Sequence, residues 1–294
     1  MKAFVIAEHI DASRELCGGA RAMANEVVLV SFGETPEACA DKVLRIAVPE
    51  GEVLDDAADT VIAAFEAEQP GIVLVEPTRH MKILSGKLAA HAITSVITDV
   101  IGFEGETAES MYFGGVGHKK QKAAGPVAIY TVTQGLFAEN EPNGANSVED
   151  IAWVAPANPV KLVSSTSIPK SGVDLTKADV VVAAGRGFAE ESDLDLARAL
   201  CEKLGAGLGC SRPLTEGVDW LPRETYIGVS GLMLSPKVYV GCGISGQMQH
   251  MVGCNRAGTM FAINKDKNAP VFKQCDYGLV GDIKDVLPAL AAAL

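Results

Sequence analysis

Short runs of β-branched residues alternate with helical stretches along both halves of this 294-residue chain, and few folds accept that rhythm. "AFVIAEH" (Ala3 to His9) reads as a strand and leads into a helix through Arg21 and Ala24. "VVLVSF" (Val27 to Phe32) and "KVLRIAV" (Lys42 to Val48) read as the next strands. "DDAADTVIAAFEAEQ" (Asp55 to Gln69) has apolar residues at helical spacing and acids in its first turn, where the helix dipole favours them. "GIVLVEP" (Gly71 to Pro77) is a buried strand, followed by a helix from about Arg79 to Ala92. A strand–helix–strand rhythm of this kind predicts a mostly parallel sheet with helices on its faces.

After Ser95 the pattern turns strand-like, in "SVITDVIGFEG", "ESMYFGG", "PVAIYTV" and "DIAWVAP". A Pro/Ser-rich segment from Pro156 to Gly172 then divides the chain. The expected organisation is two α/β domains, 1–165 and 170–294, each with a mostly parallel sheet flanked by helices. Length agrees, at roughly 150 residues per domain. From Asp174 the alternation resumes through "ADVVVAAGRG", a helix over "ESDLDLARALCEKLGA" opened by Ser192 or Asp193, "GLGCSRP", "ETYIGVSG", "KVYVGCGISG", "TMFAINKD" and a terminal helix over "GDIKDVLPALAAAL".

Charge and cysteine usage exclude some functions. A net charge of −12 argues against nucleic acid, because phosphate binding needs clustered Lys and Arg. The one basic run, "HKKQK" (His118 to Lys122), reads as a solvated loop, with a partner contact as the alternative. The seven cysteines are odd in number and never at C-x-x-C spacing, so they read as reduced, mostly buried thiols. No apolar run approaches the roughly 20 residues that span a bilayer, and the start is too short and too acidic for a signal peptide. A soluble, cytoplasmic protein without stable membrane insertion is expected.

The chemistry concentrates in the second half. Open parallel sheets bind ligands outside the carboxyl ends of their strands. There the chain places "GRG", "SR", "GVSG", "GISG" and "NKD", which contribute Arg186, Arg212, Ser211, Ser230, Ser245, Asn264 and bare backbone. Two arginines at adjacent strand ends of an acidic chain suit a phosphate or a planar ring. "GCGISG" (Gly241 to Gly246) fits G-x-G-x-x-G, and a helix from Gly246 would aim free amides into the same cleft. Asp266 stands twenty residues on, where a ribose-binding acid would fall. Two features count against an ordinary NAD site: the turn lies near the end of the chain, and the helix after it has room for barely two turns. A metal at Cys242, His250 and Cys254 matches none of the structural zinc spacings.

The ordered set "GRG", "SRP", "GVSGLMLSPKVYVGCGISGQMQH", "INKDKNAPVF" and "DYGLVGD" closely resembles the α subunit of electron-transfer flavoproteins, especially the FixB-like branch. The first half matches more loosely, through its rhythm and "YFGG" at Tyr112 to Gly115. The resemblance implies one FAD in the C-terminal domain, near an interface with a β subunit that carries AMP or a second FAD. The N-terminal domain would pack on that subunit and hold no cofactor of its own. Arg186 and Ser211 would bind the FAD phosphates, and Arg212 would lie against the isoalloxazine ring, favouring negative charge that develops on reduction. Ser230 would contact flavin N5, with Ile227, Gly228 and Val229 beside it. Ser245, Gly246, Gln247, Met248, Gln249 and His250 would wrap the ribityl chain and pyrophosphate, with His250 towards the pyrimidine O2. Asn264, Asp282 and Ile283 would hold the adenosine end, Asp282 doubling as a helix N-cap.

Two departures mark this chain. "GVSGLML" stands where "GQTGK" is usual, so Leu232 replaces a basic residue, and "ESMYFGG" lacks a preceding arginine. The function implied is an electron carrier acting between partner flavoproteins such as acyl-CoA dehydrogenase-type enzymes. A bifurcating relative that oxidises NADH at a second FAD in the β subunit stays open, as does a non-redox nucleotide-binding module.

Overall fold

A computed structural model describes residues 1–113, 115–166 and 173–294. Part of the Pro156 to Gly172 segment and Gly114 of "YFGG" thus lie outside the described residues. The chain forms two compact units, each built on its own sheet.

The first unit runs β1 (Lys2–Ala7), α1 (Ile10–Met23), β2 (Glu26–Phe32), β3 (Lys42–Ile46), α2 (Ala58–Glu68), β4 (Ile72–Val75) and α3 (Arg79–His91). It continues with β5 (Val96–Glu104), β6 (Thr107–Tyr112), β7 (Gly117–Lys122), β8 (Ala128–Val132) and β9 (Ser147–Ile151). The strand order is β7-β6-β5-β8-β4-β1-β2-β3-β9, with β5 and β6 antiparallel and the pairs from β5/β8 across to β9 parallel. Central strands are apolar on both faces, because both are covered. Ala3, Val5 and Ala7 pack with Leu16, Cys17 and Ala20 of α1, while Phe4 and Ile6 pack with Val61 of α2 and Leu84 and Leu88 of α3. Thr78 opens α3 by accepting a hydrogen bond from the Met81 amide (3.2 Å).

One expectation fails here. "HKKQK" is not a loop but the edge strand β7. Its His118, Lys120 and Lys122 pair with Glu109, Glu104 and Glu106 of the preceding hairpin. Opposed acids make the basic run a strand, and charge on an edge discourages pairing with another chain.

The second unit runs β10 (Val180–Ala184), α4 (Leu194–Leu204), β11 (Gly207–Cys210), α5 (Pro213–Glu216), β12 (Val238–Cys242), α6 (Met248–Met251), β13 (Thr259–Asn264), β14 (Tyr277–Val280) and α7 (Ile283–Ala293). All strands are parallel, in the order β11-β10-β12-β13-β14. Val182, Ala184, Val240 and Cys242 face one core with α4 and α7, and Val181, Ala183 and Tyr239 face the other.

Local chemistry sharpens or corrects three further expectations. Of the two residues expected to open α4, Asp193 stands at the N-cap position and Ser192 does not, and the capping box formed by Glu190 and Asp193 belongs to the 3₁₀ turn over Glu191–Asp193 that precedes the helix. "ETYIGVSG" makes only isolated bridges, Cys210 with Tyr226 and Ile227 with Leu232, rather than a strand. The helix expected from Gly246 is a single turn starting at Met248, too short to sum a substantial dipole.

Candidate functional site

Ala184, Cys210, Cys242 and Ile263 are cross-strand neighbours, so the loops after β10 to β13 leave the sheet along one rim. β10 is flanked by β11 on one side and β12 on the other, so the winding direction reverses between β10 and β12. In open parallel sheets a ligand crevice forms at this switch point. The loops on either side of it are Gly185-Arg186-Gly187 and Gly243-Ile244-Ser245-Gly246.

These two loops are joined backbone to backbone. Gly185 N donates to the Cys242 carbonyl (2.9 Å) and Gly187 N to the Gly243 carbonyl (3.0 Å). A Cβ on Gly187 would stand 2.6 Å from Gly243 Cα, a distance no side chain tolerates. Gly246 has φ +86°, and a Cβ there would meet Val271 N at 2.2 Å. Glycine is therefore required where the two loops close on each other and on Val271, because a side chain at Gly187 or Gly246 would collide with the chain itself. Arg186 projects from this junction, exposed and without an ion-pair partner among the described residues.

The neighbouring loop supplies the second arginine. Ser211 N donates to the Ala184 carbonyl (2.9 Å), holding the β11 loop beside the first. Arg212 is 61% exposed, and its Nε donates to Glu216 Oε2 (2.5 Å) one helical turn on. Glu216 also faces Arg223 Nη2 at 3.5 Å. The shared acid orients Arg212 while its Nη groups face no intrachain carboxylate among the described residues.

Residues 227–230 reach the same rim through the Cys210–Tyr226 bridge, with Ile227 N donating to the Cys210 carbonyl (2.9 Å). Val229 N donates to the Gln249 carbonyl (2.8 Å), which ties this loop to α6. Val229, Ser230, Ser245, Gln247, Met248 and Gln249 are exposed, whereas Gly228 and Gly246 are buried backbone. Ile227 and Ile283 are both buried core residues.

Asn264 acts as a brace. Its Nδ2 donates to the Ile244 carbonyl (2.8 Å) and its Oδ1 accepts from Asp266 N (2.9 Å). Asp266 itself closes a turn by accepting from Asn268 N (2.9 Å). Asp282 caps α7, accepting from Lys284 N (2.9 Å).

His250 lies underneath. It is 8% exposed, its Nε2 is 2.7 Å from the Tyr239 hydroxyl, and its Nδ1 is buried without a hydrogen-bond partner. Burial pushes its pKa down to about 4, so the ring is neutral at pH 7. The two bracketing cysteines face opposite cores of the sheet, Cys242 one and Cys254 the other. Burial pushes both thiols up to about 12. They are packing residues, and thiolate ligation with His250 has no geometric basis.

Sequence reasoning passed over Tyr239, Glu216 and Gln274, whose Nε2 donates to the Gly246 carbonyl (2.9 Å). A tyrosine in a buried strand reads as core, and only the fold sets it against His250. Glu216 carried a local signal, its i,i+4 spacing from Arg212.

The arrangement fits a dinucleotide with an aromatic ring system. Two exposed arginines at adjacent strand ends offer cations, and the orphaned His250 Nδ1 offers a polar atom that a ligand would satisfy. Residues 174–255 match a family model described as the electron transfer flavoprotein FAD-binding domain, and residues 3–158 match the electron transfer flavoprotein domain. Protein FixB of Salmonella typhimurium is 40% identical over 293 residues, covering 95% of this chain and 94% of the relative. Protein FixB of Escherichia coli O7:K1 is 38% identical with the same coverage. The chain therefore belongs to the electron-transfer flavoprotein α-subunit family, in its FixB-like branch.

Proposed function

We propose that this chain is the α subunit of a heterodimeric electron-transfer flavoprotein that holds one FAD at the β10/β12 rim. The observation that supports this reading best is the pair of exposed arginines, Arg186 and Arg212, at adjacent strand ends beside the switch point. FAD, when bound, supplies the one-electron redox chemistry, and the chain supplies position and charge. Arg186, Ser211 and the Ser245–Gln249 turn hold the phosphates and ribityl chain. Arg212 lies against the ring, where a fixed cation favours the reduced forms. Ser230 offers its hydroxyl at N5 and His250 its ring nitrogen at O2, while Asn264, Asp282 and the Ile283 backbone line the adenosine end.

In this reading residues 170–294 are the flavin domain and residues 1–165 pack on the β subunit. Electrons pass to or from flavoproteins of the acyl-CoA dehydrogenase type, in the cytoplasm. Among the described residues no helix is long and apolar enough to cross a membrane. The bifurcating alternative draws on one observation, Leu232 in place of the usual basic residue beside the N5 serine.

The test is to purify the chain with its β subunit, record the flavin spectrum and count nucleotides after denaturation. One FAD plus one AMP supports the simple carrier, and two FAD support bifurcation. A colourless heterodimer ends the carrier reading.

A further inference from the structure

Tyr239 is wholly buried on β12, and its hydroxyl must place a proton somewhere. Burial raises its pKa, so it remains O–H at physiological pH. Two acceptors border it: His250 Nε2 at 2.7 Å and the sulfur of Cys254. Thiol sulfur is a weak acceptor, and the Cys254 S–H is itself directed to the His250 carbonyl (3.9 Å). The hydroxyl therefore donates to Nε2. A neutral imidazole whose Nε2 accepts must carry its proton on Nδ1.

We infer that Tyr239 is a positioning residue that locks His250 as the neutral Nδ1–H tautomer, so that the histidine serves the flavin as a fixed donor rather than as a cation. This rests on the FAD reading above. A donor without a partner in a buried site is costly, and an acceptor oxygen of the bound ring relieves that cost. The positive charge near the ring is then left to Arg212, at the end of a different strand. Tyr239 and His250 are eleven residues apart and meet only because α6 folds back over β12.

The experiment uses the full-length chain purified with its β subunit and labelled with ¹⁵N-histidine. Long-range ¹H–¹⁵N spectra at pH 7 report which ring nitrogen carries the proton, and His250→Gln identifies the signal. The expected result is a protonated Nδ1 and a bare Nε2. In Tyr239→Phe the preference for Nδ1–H falls by tenfold or more, and FAD affinity falls about tenfold, the worth of one hydrogen bond. A proton on Nε2 in the unmodified protein, or an unchanged tautomer in Tyr239→Phe, overturns the inference. Should Tyr239→Phe fail to fold, the spectrum of the unmodified protein alone decides. A heterodimer that purifies without flavin and takes up none when FAD is added overturns the FAD reading and the flavin role inferred for the donor, and Nδ1–H in its spectrum leaves the dyad itself standing.

Discussion

Arg212 and His250 divide the electrostatics of the site in different ways. Arg212 is solvent-exposed and held by Glu216, so it is a permanent cation whose direction is set locally. Truncating it to Ala removes charge without opening a core. FAD content should stay close to normal, while the flavin potential should fall by on the order of 60 mV, tenfold for one electron. Spectroelectrochemical titration measures this, and an unchanged potential would remove Arg212 from the ring. His250 is a burial effect. Its folded pKa of about 4 lies below the 6.5 of the unfolded chain, so the unfolded state binds the proton first as pH falls. Its contribution is complete above pH 6.5 and is lost as pH drops towards 4, on the order of 3 kcal/mol in all. Denaturant titrations of the flavin-free protein at pH 7 and pH 5 should show the loss, and His250→Gln should flatten it.

At the scale of elements, the site is built from loops that the strand ends hold in register. The Gly246 turn is the most constrained, with φ +86° and Val271 N where a Cβ would stand. Gly246→Ala should cost about 1–3 kcal/mol of unfolding free energy and lower FAD occupancy together. Thr78→Ala is the contrasting change. It removes the cap of α3 in the other unit and should cost about 1 kcal/mol with FAD occupancy intact. Chemical denaturation with flavin absorbance on the same samples separates the two. An equal loss of flavin in both variants would mean that the turn has no special role.

At the scale of the whole molecule, two units with separate cores predict two unfolding transitions rather than one. Leu29 is fully buried in the first unit and Leu200 in the second. Replacing either with Ala should cost about 2–5 kcal/mol in its own unit. Only Leu200→Ala should lower the transition that releases flavin. Calorimetry with simultaneous flavin fluorescence reads both, and a single shared transition shifted by either variant would contradict the prediction.

Much of this was legible from residue order alone. β-Branched runs such as "VVVAA" and "VYVGC", each followed by glycine, specify buried parallel strands with bare turns at their carboxyl ends, because periodicity and glycine usage are local properties. The ordered loops carried the family in the same way. Residue order did not fix whether "HKKQK" is loop or strand, because the deciding acids, Glu104, Glu106 and Glu109, meet it only across a hairpin. Nor did it separate the roles within "GCGISGQMQHMVGC". Only the sheet sends Cys242 and Cys254 to opposite cores, joins Gly187 to Gly243, and sets the Tyr239 hydroxyl against His250. Those are contacts between segments distant in sequence, and their energy exists only once the strands have chosen their neighbours.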